Sequence, residues 1–443
     1  MPSKTARFIT GSLLHILIIS AQSVSATSCY EHAAATFSFM LPLHALIRYN
    51  PMSSSTPLLP LLPRSRKDFL DNLRCTLTIL LVSHHAIIET ALSSGDSVPI
   101  AVVVTLVNTF LWSTFFFVSG YATSLSQGTR VSLLKKGVKV NLPALFHAVV
   151  GQWALFALLS KNWPYIFGNN DKTKAYARFS GPVPYIALLF LFDSATLLIF
   201  RRFTIPSWTY PNLAPKFVIL IGFIALASYT FLSAALFVPN AHLPRFVAYL
   251  VYDSPDPSFP ISHILAYAAG WQFKKLKRSV LSSSATGATL GLFISTATSA
   301  GSLYLAQSQW PSIASLIRLR ISDGPRTIFI DGGLNAHTAF FSFWSSFTRI
   351  AISISVVSLF FHMDSTSATW GWFGRKTYLQ TYLHMIPVLT AEYHLRKVQN
   401  QVVKYGLVEL IALSGTWLSA YAVYGFLRLI TVNVLKIKRF IKW

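Results

Sequence analysis

The sequence predicts an all-α fold, a polytopic integral membrane bundle of about ten transmembrane helices, and three observations predict it. Hydrophobic residues make up 53% of the chain and charged residues only 12%, with a mean hydropathy of +0.51. Long apolar runs recur along the chain, each near the length needed to cross a bilayer and separated by short polar links. The cations gather at the ends of those runs rather than in one block. A net charge of +23 therefore reads as membrane topology and contact with anionic lipids, and nucleic acid is not expected as a partner.

The expected spans are 69–91, 99–124, 141–160, 181–200, 215–238, 259–274, 285–307, 336–361, 377–397 and 406–431. If the segment before the first span is cytosolic, the cytosolic side holds about twenty cations and the opposite side about eleven, the bias that sets orientation. Arg64, Arg66, Lys67, Lys135, Lys136 and Lys139 fall on the cytosolic side, as do Lys274, Lys275, Lys277 and Arg278. Both ends of the core come out cytosolic, in an endomembrane or the plasma membrane. The links at 161–180 and 308–335 are the longest on the other side and suit acceptor-binding or lid segments, or plain connectors.

Residues 1–63 differ from the rest. Lys4 and Arg7 precede FITGSLLHILIIS, and a Pro/Ser-rich linker, PMSSSTPLLPLLP, follows a second short apolar run. The segment reads as a signal or anchor-like, poorly ordered extension, and residues 64–443 as the transmembrane domain. Two cysteines, Cys29 and Cys75, make neither a disulfide framework nor a zinc spacing, so no metal is expected.

The stretch from Arg64 to Thr90, RSRKDFLDNLRCTLTILLVSHHAIIET, carries more polarity than a spanning helix usually tolerates without a function. Arg74 and His85 lie eleven positions apart, on one helical face and about 16 Å apart along the axis. Asp71 stands one turn before Arg74, where opposite charges can meet and ease the burial of the arginine. His85 suits a general base, a proton relay or a packed core residue. His84 points about 100° away, as a packing residue or one that fixes its neighbour's tautomer.

This stretch resembles the first transmembrane helix of the membrane acyltransferase 3 family, in which a basic residue and a histidine stand at this spacing. Other stretches resemble the family in order. FFFVSGYATSL at 115–125 is similar to its small-residue segment, with Ser119, Gly120 and Tyr121 in register. Ser119 is read as structural or pocket-lining, with a nucleophile as the alternative. SLLKKGVKVNLPALF places Lys136 and Lys139 where the family commonly has two arginines, a change that keeps charge and loses the planar fork. GPVPYIALLFLFDSATLLIF at 181–200 keeps Gly181, Pro182, Phe192 and Asp193, with Pro184 at the place of a tryptophan. Asp193 is expected to pair with a cation such as Arg201. TYLQTYLHMIPVL at 377–389 keeps His384 and Pro387, and His384 is read as a second pocket histidine or as a donor between helices.

The resemblance, closest to the fungal-type branch, implies an acyl-CoA-dependent O-acyltransferase. The donor substrate would be acyl-CoA, most simply acetyl-CoA, and the acceptor a hydroxyl on a glycan or secondary metabolite. It implies catalytic roles for His85 and Arg74 and donor-phosphate contacts for Arg74, Lys136 and Lys139. Asp71, Ser119, Tyr121 and His384 are the further pocket candidates. A polytopic small-molecule transporter and a catalytically inactive member of the family are the alternatives.

Overall fold

A computed structural model describes residues 68–94, 98–125, 183–196, 214–236, 259–273, 280–282, 284–309, 334–363 and 377–440. Among them every regular element is helical: α1 (Asp68–Ser94), α2 (Val98–Leu125), α3 (Val183–Ala195), α4 (Ala214–Leu236), α5 (Phe259–Trp271), α6 (Ala285–Gln309), α7 (Ala336–Met363), α8 (Thr377–Leu383), α9 (Met385–Leu395) and α10 (Gln401–Phe440). Helix is found on nine of the ten expected spans. The third, 141–160, lies outside the described residues, as do residues 1–63, Lys136, Lys139 and Arg201.

Among the described residues three helices are long and apolar enough to cross a membrane, over Val102–Leu125, Ala336–His362 and Gln401–Phe426. α1 is long but carries Asp71, Arg74 and Glu89, and α6 is rich in Ser, Thr and Gly. Bare apolar faces on α4 (Phe217, Leu220, Ile221, Ile224) and α10 (Leu410, Ile411, Leu418, Phe426) are costly in water and suited to lipid.

The helix starts are written locally. Pro99, Pro184, Pro215 and Pro260 each stand second in their helix, where a missing N–H costs nothing. Asn335 accepts from the Thr338 amide at 2.8 Å, and Asn400 from the amides of Val402 and Val403 at 3.0 and 3.1 Å. Both act as N-caps. The break between α8 and α9 follows from Pro387, which has no N–H for the Leu383 carbonyl. The chain stays helical through it, since the His384 amide bonds to the Gln380 carbonyl at 3.0 Å and Val388 to that of His384 at 3.3 Å. The result is a kink at His384.

The described residues form two compact units, one between Ser94 and Thr366 and one made of the residues up to Ser93 and from Ser367 onward. In the first, α2 is the hub. Arg349 and Ser353 of α7 bond to Thr109 and Thr114 of α2; Tyr185 and Asp193 of α3 bond to Ser119 and Thr123. His263 and Phe273 of the third partner stretch meet Phe116 and Tyr121. In each pairing the numbers rise together, so α3, α5 and α7 run parallel to α2. α6 runs antiparallel to α7, with Ser299 against Trp344 and Thr348, and Gly291 against Ser355.

α2 and α5 cross with their backbones in contact. A Cβ on Gly120 would lie 2.1 Å from the Tyr267 carbonyl oxygen, and one on Gly270 would lie 2.0 Å from that of Phe117. Only glycine fits either place. In the second unit α1 and α9 both run antiparallel to α10. Val82, Val388 and Ala412 form one buried cluster there, and Ala86, Ala391, Tyr405 and Val408 another. Gly415 admits Pro387, whose Cβ would come within 2.6 Å of an added Cβ.

Candidate functional site

The second unit builds its polar centre from α1, the α8–α9 kink and α10. The His85 and His384 rings lie 4.9 Å apart between centroids, tilted by 47°. His84 stands edge-on to His85 at 5.6 Å. His384 is buried, and its Nδ1 donates to the Thr381 carbonyl at 2.7 Å. A carbonyl only accepts, so this bond puts the proton on Nδ1 and leaves Nε2 as the basic nitrogen of the neutral ring. Among the described residues Nε2 has no hydrogen-bond partner. The donor role between helices expected of His384 is therefore taken up by a bond within its own turn.

Arg74 and Asp71 make the expected i,i+3 pair, Nη1 to Oδ1 at 3.7 Å. Asp71 is buried while a third of the Arg74 side chain stays exposed, the posture of a cation held at one end and reaching out at the other. About three turns of α1 separate this pair from His85. One residue before the histidines, Ser83 donates to Oε1 of buried Glu409 at 2.6 Å. Lys404 and Glu392 form an ion pair at 2.7 Å, with the lysine almost wholly buried.

Ser119 and Tyr121 belong to the first unit and a different cluster. Ser119 Oγ shares a hydrogen bond with the Tyr185 hydroxyl at 2.8 Å, and Tyr121 is buried edge-on against Phe273 at 4.8 Å. Asp193 accepts from Thr123 at 3.1 Å and from the Tyr267 hydroxyl. Two hydroxyl donors, from α2 and α5, thus hold the carboxylate, while Arg201, the cation expected beside it, lies outside the described residues. Phe116, Phe192 and Tyr267 pack around it.

Several of these polar residues gave no warning in the sequence. Glu409 meets Ser83 across 326 positions, and nothing local to either residue points to the other. Lys404, which falls in the link between the last two expected spans, is buried near the start of α10. Arg349 is buried, with its Nε donating to the Thr109 carbonyl at 3.2 Å. A lone arginine in the middle of a long apolar helix was the available signal. Among the described residues no group of three metal-ligating side chains gathers.

Among the described residues the structure is helical throughout, with helices able to span a membrane, and it sets a half-buried His85 beside a buried His384. No family model matches the chain, and comparison with curated proteins gives no match.

Proposed function

We propose that this protein is a membrane-bound O-acyltransferase that moves an acyl group, most simply acetyl, from acyl-CoA to a hydroxyl acceptor. The observation that carries the reading is the histidine pair, in which His384 holds a basic Nε2, turned by its bond to Thr381, beside His85. In this reading His85 takes the proton of the acceptor hydroxyl as general base. The oxygen attacks the thioester carbonyl carbon, the carbon–sulfur bond breaks, and the CoA thiolate leaves with the proton from the imidazolium. His384 steadies that imidazolium by sharing its charge, and His84 packs behind.

Arg74, oriented by Asp71, and the two lysines Lys136 and Lys139 hold the donor phosphates. All three cations stand on the cytosolic side of the expected topology, where acyl-CoA is found. The helix directions support a multi-pass bundle. α2, α3, α5 and α7 occupy the second, fourth, sixth and eighth of ten expected spans, so strict alternation makes them parallel, with α6, the seventh, opposed.

The buried Lys404–Glu392 pair and Glu409 favour a second reading, a proton-coupled transporter of small solutes. Release of free CoA by the purified protein, wild type beside His85→Ala and with a panel of hydroxylated acceptors, separates the two. Release by wild type and not by the variant supports acyl transfer. Donor binding without release indicates an inactive member of such a family. Absence of donor binding favours the transporter.

A further inference from the structure

The first unit contains a cavity of about 430 Å³ between α2, α4, α5 and α7, within the range of about 300–1,000 Å³ typical of small-molecule sites. Its wall is almost entirely apolar, from Phe117, Leu226, Leu265, Trp271, Phe273 and Val357. A cation, Arg349, and the Ser113 hydroxyl stand at one end, while Ser353 lies one turn beyond Arg349 and Gln272 stands next to Trp271. Arg349 lines it, fixed by its bond to Thr109. Ser113, one turn after Thr109, also lines it; its hydroxyl is buried and has no hydrogen-bond partner among the described residues. Ser262 lines it from the first turn of α5, the end of a helix that favours negative charge.

The helix register orders these groups. α2, α5 and α7 run parallel, so Ser113, Ser262 and Arg349 share one level, and Phe273 and Val357 lie farther along. Eight residues of α7 separate Arg349 from Val357, about 12 Å. The cavity is thus a slot with a cation and an unsatisfied hydroxyl at one end and an apolar bore beyond. A buried hydroxyl without a partner is costly, and a ligand oxygen at that end supplies one.

We propose that this slot binds a single-chain anionic amphiphile, a long-chain carboxylate, with its head on Arg349 and Ser113 and its alkyl chain running toward Trp271. The positive charge of the arginine pairs with the carboxylate. The aliphatic walls displace no polar contact when the chain enters. The site is separate from the histidine pair and does not depend on the acyl-transfer reading. The same chemistry is offered by a free fatty acid and by the chain and head of a bilayer lipid, and the test distinguishes them.

The full chain, in nanodiscs of phosphatidylcholine alone, is titrated with stearate brominated in mid-chain, and tryptophan quenching is read. Saturable quenching, reversed by plain stearate and lost in Trp271→Phe, is the expected result. Arg349→Gln weakens binding by about tenfold or more, as loss of a charge-assisted contact does. The methyl ester, with its neutral head, binds as weakly to wild type. Gly222 lines the cavity with open space where a Cβ would stand, so Gly222→Phe fills the bore without a clash and abolishes the saturable phase. If Arg349→Gln fails to fold, Gly222→Phe and the ester carry the test. Quenching that is unchanged in Gly222→Phe, or equal for acid and ester, overturns the proposal. So does saturable quenching by brominated phosphatidylserine that stearate does not displace, which makes the occupant a bilayer lipid.

Discussion

The two units bury polar groups in different proportions. The first holds many hydroxyls, Thr109, Thr114, Thr196, Thr230 and Ser342 among them, that bond to the carbonyl four residues back in their own helix, beside buried Asp193, His263 and Arg349. Such a hydroxyl satisfies its donor within its own helix. The second unit buries Asp71, His84, His384, Lys404 and Glu409, and its acids and lysine are answered from elsewhere: Glu409 by Ser83, Lys404 by Glu392. Self-satisfied hydroxyls let helices pack closely and tolerate change. Ionisable groups that depend on other helices fix one arrangement and supply chemistry.

Breaking the second unit's centre should have the largest effect. Replacing His85 or His384 by Ala is expected to lower acyl transfer by about 10²–10⁴-fold, the usual weight of general acid–base catalysis. Circular dichroism of the variants checks that the helices are retained. Turnover within about twofold of wild type in both variants would end the acyl-transfer assignment.

Next comes the buried ion pair. Lys404→Met leaves the Glu392 carboxylate without its cation and should cost about 3–5 kcal/mol, whereas Lys404→Met with Glu392→Leu should recover most of it. Equilibrium unfolding in mixed detergent micelles measures both. A double variant as unstable as the single would show that the pair's value lies outside its charges.

Two smaller effects sharpen the contrast. Gly120→Ala and Gly270→Ala force a methyl against a carbonyl and should each cost about 1–3 kcal/mol, read as a lowered melting temperature. Little loss in either would mean that α2 and α5 can separate cheaply. Thr114→Val, which removes a hydroxyl shared with Ser353 at 2.9 Å, should cost at most about 1 kcal/mol. A larger loss would undo the claim that the first unit's hydroxyls serve themselves.

What could be read from the sequence divides along the same line. Local relations were legible: the helix positions, the Asp71–Arg74 pair at i,i+3, and His384 near Pro387. They depend on a few consecutive residues and on period. Contacts between distant helices were not. Nothing in residues 181–200 points to Tyr267 as the partner of Asp193, and a nearby cation was the natural expectation. Gly270 gave no sign that it faces Phe117, because a lone glycine in a helix has many causes. Arg349 stood out as a lone cation in an apolar helix, but the slot it lines came from three-dimensional packing alone.

The kink at His384 also bears on motion. A helix lacking one internal bond bends more cheaply there than on either side. α9 is pinned on one flank, where Pro387 sits in the notch left by Gly415. α8 carries Thr381 and, through it, the orientation of the His384 ring. Bending at this joint therefore swings the imidazole on a short lever while α9 stays seated, on the microsecond-to-millisecond scale of collective helix movements. In the proposed acyl-transfer reading, the spacing between the two histidines then follows any bending of α8, and with it the proton's position.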